Sequence, residues 1–271
     1  MKFAIPFPLL KPEESFEGLL SFYLPFRRNI EHFYFRIPFI EGRDNSSLGR
    51  LYADKCREFI RLAGKYFNCV LDVKFNSSRP SINRYYRSNY VPSIIDKFGF
   101  NGIIVRDIGN LGYFSDNFQD LKLYYLTNYV DEQILSLLQR RIRLSGLIGV
   151  GTEPLAKVEK KLLDFSFRYG YIVNETCIDN CVYRSIMYSG RVGLNGFCND
   201  CCINDSLRSS YCVSSIQLNE DLGNVVDFAV ISGALRDSVW INDVFLYYFY
   251  RKKLEFHKVL NGPMVGRFYG K

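Results

Sequence analysis

Eight short runs rich in β-branched and aromatic residues alternate with helical segments along the 271-residue chain, and this alternation constrains the fold most. The runs are Phe3–Pro8, Glu31–Ile40, Asn68–Phe75, Gly102–Arg106, Leu121–Asn128, Leu147–Gly151, Tyr169–Asn174 and Val225–Ile231. Helical stretches fall between them: Glu13 to Tyr23, Leu48–Lys65 with apolar Leu51, Phe59 and Leu62, and a final helix over Val239–Lys252. Strands joined through helices pair in parallel, because the crossover carries the chain back to the same end of the sheet. Eight such units fit a closed (β/α)8 TIM-type barrel better than an open sheet of six, with an open doubly wound sheet as the alternative. We expect one domain over residues 1–253, a Cys-rich insertion (174–212) between strands seven and eight, and a basic tail at 254–271.

Composition agrees with that frame. A chain 48% hydrophobic can bury a full core, and barrels of this length commonly form one domain. The apolar run at the N-terminus is broken by Pro6 and Pro8, and no stretch reaches the ~18 apolar residues of a membrane span. The reading is a soluble, cytoplasmic protein. The net charge of +7 favours polyanionic company such as RNA but is also an ordinary solubility charge. Its sources are Arg140, Arg141 and Arg143, then Lys157, Lys160 and Lys161, then the tail beyond Tyr250. Solvated helix faces and a loose basic tail account for them more readily than a nucleic-acid groove does. Arg79, Arg84 and Arg87, set among tyrosines in the loop-like stretch 76–90, are a second place for such contacts, or a roof for the barrel. The tyrosines and phenylalanines otherwise read as core, as in FLYYFY at 245–250.

Six of the eight cysteines lie between Asn174 and Cys212, directly after the seventh strand. In a reducing compartment that density points to thiolate ligation rather than disulfides. Cys56 and Cys69, isolated and flanked by apolar residues, read as inert core thiols. Only Cys198 and Cys201 show the C-x2-C spacing of a zinc ribbon, so the uneven gaps favour a [4Fe–4S] cluster, with zinc second.

In barrels of this kind the chemistry sits where strands end. Asp107, Glu153 and Glu175 follow strands four, six and seven and are the candidate acid–base groups. Each has a structural alternative as a helix cap, strongest for Glu153, which precedes Pro154. Arg184 is placed to neutralise a cluster's negative charge or to pair with Asp179. With two histidines, His32 and His257, and no H-E-x-x-H motif, the usual hydrolytic constellations lack material, and phosphate-cradling glycine motifs are absent.

These residues also resemble a known family. A strand ending in Val173-Asn174-Glu175, followed by Cys177 and Cys181 and then Tyr183-Arg184, is similar to a region of the peptidase U32 family. The stretches SSIQLNEDLGNVVDFAVISGALRD and GFNGIIVRDIGNL extend the resemblance over roughly Gly99–Tyr250. The resemblance implies a barrel labelled a collagenase-like protease, several members being iron–sulfur proteins of oxygen-independent hydroxylation. Their substrates are RNA bases or small aromatic precursors. It further implies Cys177, Cys181 and Cys198 as cluster ligands, with Cys212 as the fourth ahead of Cys201 and Cys202. The sequence departs from the family pattern at Val230, where a lysine is expected, and at Ala234, where an arginine is expected, with Arg236 displaced two residues. A non-catalytic accessory protein, binding RNA or a partner protein around a structural metal, is therefore the alternative.

Overall fold

The computed structural model describes residues 1–8, 10, 14–36, 47–73, 84–127, 131–149, 162, 165–174, 218, 224–232 and 237–250. Its centre is a closed barrel of eight parallel strands, each paired with its neighbours in sequence. They are β1 (Lys2–Pro6), β2 (Ile30–Phe35), β3 (Cys69–Asp72), β4 (Gly102–Val105), β5 (Lys122–Thr127), β6 (Leu144–Gly149), β7 (Tyr169–Ile172) and β8 (Phe228–Val230). The first and last strands close the barrel with Lys2 opposite Phe228 and Ala4 opposite Val230.

Alternation along each strand sorts side chains into two cores. Inward residues Ala4, Tyr34, Val70, Ile104, Tyr124, Leu126, Ile148, Ile172, Phe228 and Val230 fill the barrel. Their neighbours, such as Phe3, Ile5, Phe33, Phe35, Ile103 and Val105, face outward and pack beneath the helices. Large inward rings are matched by glycines. A Cβ on Gly170 would stand 2.2 Å from the Phe228 ring, and one on Gly146 would stand 3.1 Å from Tyr124 and 3.2 Å from Phe228. The absence of side chains on β6 and β7 at this level makes room for both rings.

Six α-helices are described: α1 (Phe16–Tyr23), α2 (Ser47–Ala63), α3 (Val91–Phe98), α4 (Ile108–Asn117), α5 (Glu132–Arg141) and α6 (Ser238–Phe249). Side-chain caps start four of them, with Ser15, Asp107, Asp131 and Asp237 each accepting from a backbone N–H three residues on. Helix α3 begins with Pro92 in its first turn, where no amide partner is lost, and stops at Gly99, whose φ of 76° suits glycine. Helix α6 packs against β1 and α1 through Phe245, whose ring meets Phe3 at 5.4 Å and Tyr23 at 5.5 Å. The Tyr23 hydroxyl donates to Asn242 Oδ1 at 2.7 Å, and that of Tyr248 to the Val173 carbonyl at 3.1 Å. The aromatic run at 245–250 is thus mainly core, with Tyr250 exposed at its end.

Candidate active site

The ends of β2, β3 and β4 bring three charged side chains together at the C-terminal mouth of the barrel. Asp72 shares the face of Val70, and Arg36 and Arg106 continue the inward faces of Tyr34 and Ile104 one step past their strands. Asp72 is only 4% exposed. Its Oδ2 accepts from Arg36 Nε at 3.3 Å and Nη2 at 3.0 Å, and its Oδ1 accepts from Arg106 Nη1 at 2.5 Å. Arg106 Nη1 also donates to the Val73 carbonyl at 3.0 Å. Two guanidinium groups thus share one carboxylate. A buried carboxylate tolerates its position because it is paired and hydrogen-bonded, and removing either arginine would strip part of that compensation.

A second pair fastens the other side of the mouth. Asn174 Nδ2 donates to the Ser232 carbonyl at 2.8 Å, and Ser232 N donates to Asn174 Oδ1 at 2.6 Å. This reciprocal amide contact extends the β7–β8 pairing past the ends of both strands, beside the Val173 N to Val230 O bond at 3.1 Å. Tyr34, from inside the barrel, reaches the same place, donating to the Ile231 carbonyl at 2.6 Å. The described chain therefore leaves β7 toward the Cys-rich segment from an anchored point on the mouth, with Asn174 three residues before Cys177 in sequence.

Of the residues singled out in the sequence, Asp107 is described. It stands next to Arg106 but serves as the N-cap of α4, its Oδ1 accepting from Asn110 N at 2.8 Å. Glu153, Glu175, Arg184, Cys177, Cys181, Cys198, Cys201, Cys202 and Cys212 lie outside the described residues, as do Val150–Lys161 as a whole. Cys56 and Cys69 are buried, and burial pushes the Cys69 thiol up to about 12, as expected of an inert core cysteine. Among the described residues no three His, Cys, Asp or Glu side chains are grouped to hold a metal ion. Arg36, Asp72 and Arg106 were not anticipated. The signal that could have found them is parity, since each stands an even number of residues after an apolar inward position in a strand.

The opposite end of the barrel is a floor. Glu31 accepts from Arg168 Nη1 at 2.5 Å and Nη2 at 2.9 Å, and lies 3.5 Å from Lys2 Nζ. Burial pushes the Glu31 carboxyl up, but hydrogen bonds and charge from Arg168 outweigh it and hold the group below the usual range. Above it His32 is fully buried, its ring 4.5 Å from that of Tyr124, and neither nitrogen has a hydrogen-bond partner. Burial pushes that imidazole down to about 3, so it is neutral. Arg140, Arg141 and Arg143 are exposed at the end of α5 and just before β6, on this floor side, away from the mouth. No helix among the described residues is long and apolar enough to cross a membrane.

No family model matches the chain, and no curated protein matches it in sequence. Solved structures match it in shape. A chain of the tryptophan synthase a2b2 complex from Pyrococcus furiosus superposes with a TM-score of 0.50 at 12% identity, over 86% of this chain and 87% of its own. A glycerophosphodiester phosphodiesterase from Parabacteroides distasonis gives a TM-score of 0.49 at 12% identity, over 85% and 92%. UMP synthase from Leishmania donovani gives 0.43 at 13% identity, over 64% of this chain; the chain spans 42% of that longer protein. At such identities what is shared is the fold: this chain is a (β/α)8 barrel of the TIM type.

Proposed function

We propose that this chain is a catalytic barrel of the U32 type. In this reading Cys177, Cys181, Cys198 and Cys212 hold a [4Fe–4S] cluster at the C-terminal mouth, and the reaction is an oxygen-independent hydroxylation or related modification of RNA or a small aromatic substrate. The observation that carries the reading is the polarity of the barrel's two ends. The floor carries Glu31 bonded to Arg168, whereas the mouth gathers Arg36, Asp72 and Arg106 and anchors the chain at Asn174, where the Cys-rich segment begins. Functional side chains of (β/α)8 enzymes sit at this end because the βα loops converge there. The four thiolates form a soft donor set that suits iron–sulfur ligation, and a bound cluster would supply electron transfer. The chain's own part is to position substrate. The fixed guanidinium of Arg106 offers charge, and the Asn174–Ser232 clamp holds the base of the Cys-rich segment in register with the mouth. Arg184 would lower the cost of the cluster's negative charge, and Glu153 and Glu175 are the carboxylates assigned to proton transfer.

The placement of Asp107 favours a second reading, since its carboxylate is committed to a helix cap. An accessory protein with a structural metal, binding RNA or a partner chain, would need no catalytic carboxylate there. RNA held by Arg140, Arg141 and Arg143 would then lie at the floor end rather than over the mouth. The two readings separate in a strain lacking the chain and complemented with wild type or Cys177→Ser. Nucleosides and small aromatic metabolites are profiled by mass spectrometry, and the purified variant is melted. The catalytic reading expects a hydroxylated product lost in both the null strain and the variant, with little change in melting temperature. A structural metal would instead take the fold with it. A product profile fully restored by Cys177→Ser contradicts the catalytic reading.

A further inference from the structure

We infer that Arg106 forms one half of a binding site for a single oxyanion, so that the substrate carries a carboxylate or phosphate group; the inference rests on the mouth being the working end of the barrel. The two arginines use their donors differently. Arg36 turns its Nε and Nη2 edge onto Asp72. Arg106 does the reverse. Its Nη1 is bound to Asp72 Oδ1 and the Val73 carbonyl, which fixes the plane of the guanidinium. The remaining edge, Nε and Nη2, makes no hydrogen bond to the described residues, and Nε is sealed from solvent.

That edge carries two parallel N–H groups, the spacing that accepts two oxygens of a carboxylate or a phosphate. A buried N–H without an acceptor carries its full desolvation cost, and this one belongs to a cation whose side chain is 9% exposed. The cost is offset when an anion arrives. Because Nη1 is already held by Asp72 Oδ1 and the Val73 carbonyl, the fork need not be ordered on binding. Asp72 is therefore a positioning residue, holding Arg106 rather than meeting substrate.

The test is calorimetric titration of the full-length protein, purified anaerobically, with inorganic phosphate and separately with benzoate. At least one should bind saturably, and which of them does tells a phosphate group from a carboxylate. Arg106→Lys, which keeps the charge and loses the fork, should weaken that binding by at least about tenfold. The double variant Arg27→Gln, Arg28→Gln, at exposed positions just before β2 at the floor end, should bind as the wild type does. In the unmodified protein an arginine Nε–H resonance should shift with the same midpoint, a readout that does not depend on how the Lys variant folds. Failure of both anions to bind in the millimolar range, or no shifting Nε–H resonance, overturns the inference, as does a folded Lys variant that binds normally. Iron measured on the same samples keeps the two readings apart. Anion binding without iron leaves this site standing and removes the cluster, whereas iron without anion binding does the opposite.

Discussion

His32 offers the sharpest test of how the barrel interior is built. Its imidazole is enclosed by Tyr34, Tyr124 and Phe228, with both nitrogens unpartnered. Its folded pKa, about 3, lies below the ordinary histidine value of 6.5. The unfolded chain therefore takes up a proton at this residue before the folded one does, so the stability associated with a neutral His32 is fully present above pH 6.5 and is lost as pH falls. Each pH unit below 6.5 costs about 1.4 kcal/mol, which makes roughly 2 kcal/mol between pH 6.5 and 5. His32→Leu removes the titration together with two unsatisfied nitrogens. It should gain on the order of 1–3 kcal/mol at neutral pH, with an additional advantage of about 2 kcal/mol at pH 5. Urea unfolding of both proteins at pH 7.5, 6.5, 5.5 and 5 reads the difference directly. Parallel pH dependences for wild type and variant would refute the reasoning, because they would mean that His32 is protonated in the folded barrel or is not sealed from water.

Two further outcomes follow from the packing and the floor. Gly170→Ala places a methyl against the Phe228 ring, and the overpacking should cost about 1–3 kcal/mol in urea unfolding, with Phe228→Leu recovering part of it in the double variant; additive losses would contradict the contact. Arg168→Met leaves Glu31 buried without its main partner, so the carboxyl shifts from below its ordinary value to above it. In the wild type the Glu31 contribution is present above about pH 4.3 and fades as pH falls through the lowered pKa. In the variant the sign reverses, so its deficit relative to wild type should be largest at pH 7 and shrink toward pH 4; a deficit independent of pH would count against the pairing.

The barrel was legible because each strand repeats the same signal: a short apolar run between helical segments, eight times over. Its errors were local. Strand β6 begins at Leu144, three residues before the expected Leu147, because Ser145 and Gly146 interrupt the apolar run although Gly146 is the space into which Tyr124 and Phe228 pack. Strand β2 covers Ile30–Phe35, and residues 37–40 of the expected run lie outside the described residues. The charged trio was harder to see. Arg36, Asp72 and Arg106 are far apart in sequence and meet only when the barrel closes. Asp107 drew attention as an acid at a strand end, but one residue of difference reverses the face, so Arg106 points into the mouth and Asp107 turns to the helix it caps.

The cysteine-held cluster is tested most directly by iron and acid-labile sulfide analysis, with a visible spectrum, on the anaerobically purified full-length protein. The expected result is a brown protein with iron and sulfide in equal amounts, near four of each per chain, lost in Cys177→Ser and Cys181→Ser. A colourless protein carrying stoichiometric zinc, or serine variants that retain full iron, would contradict it.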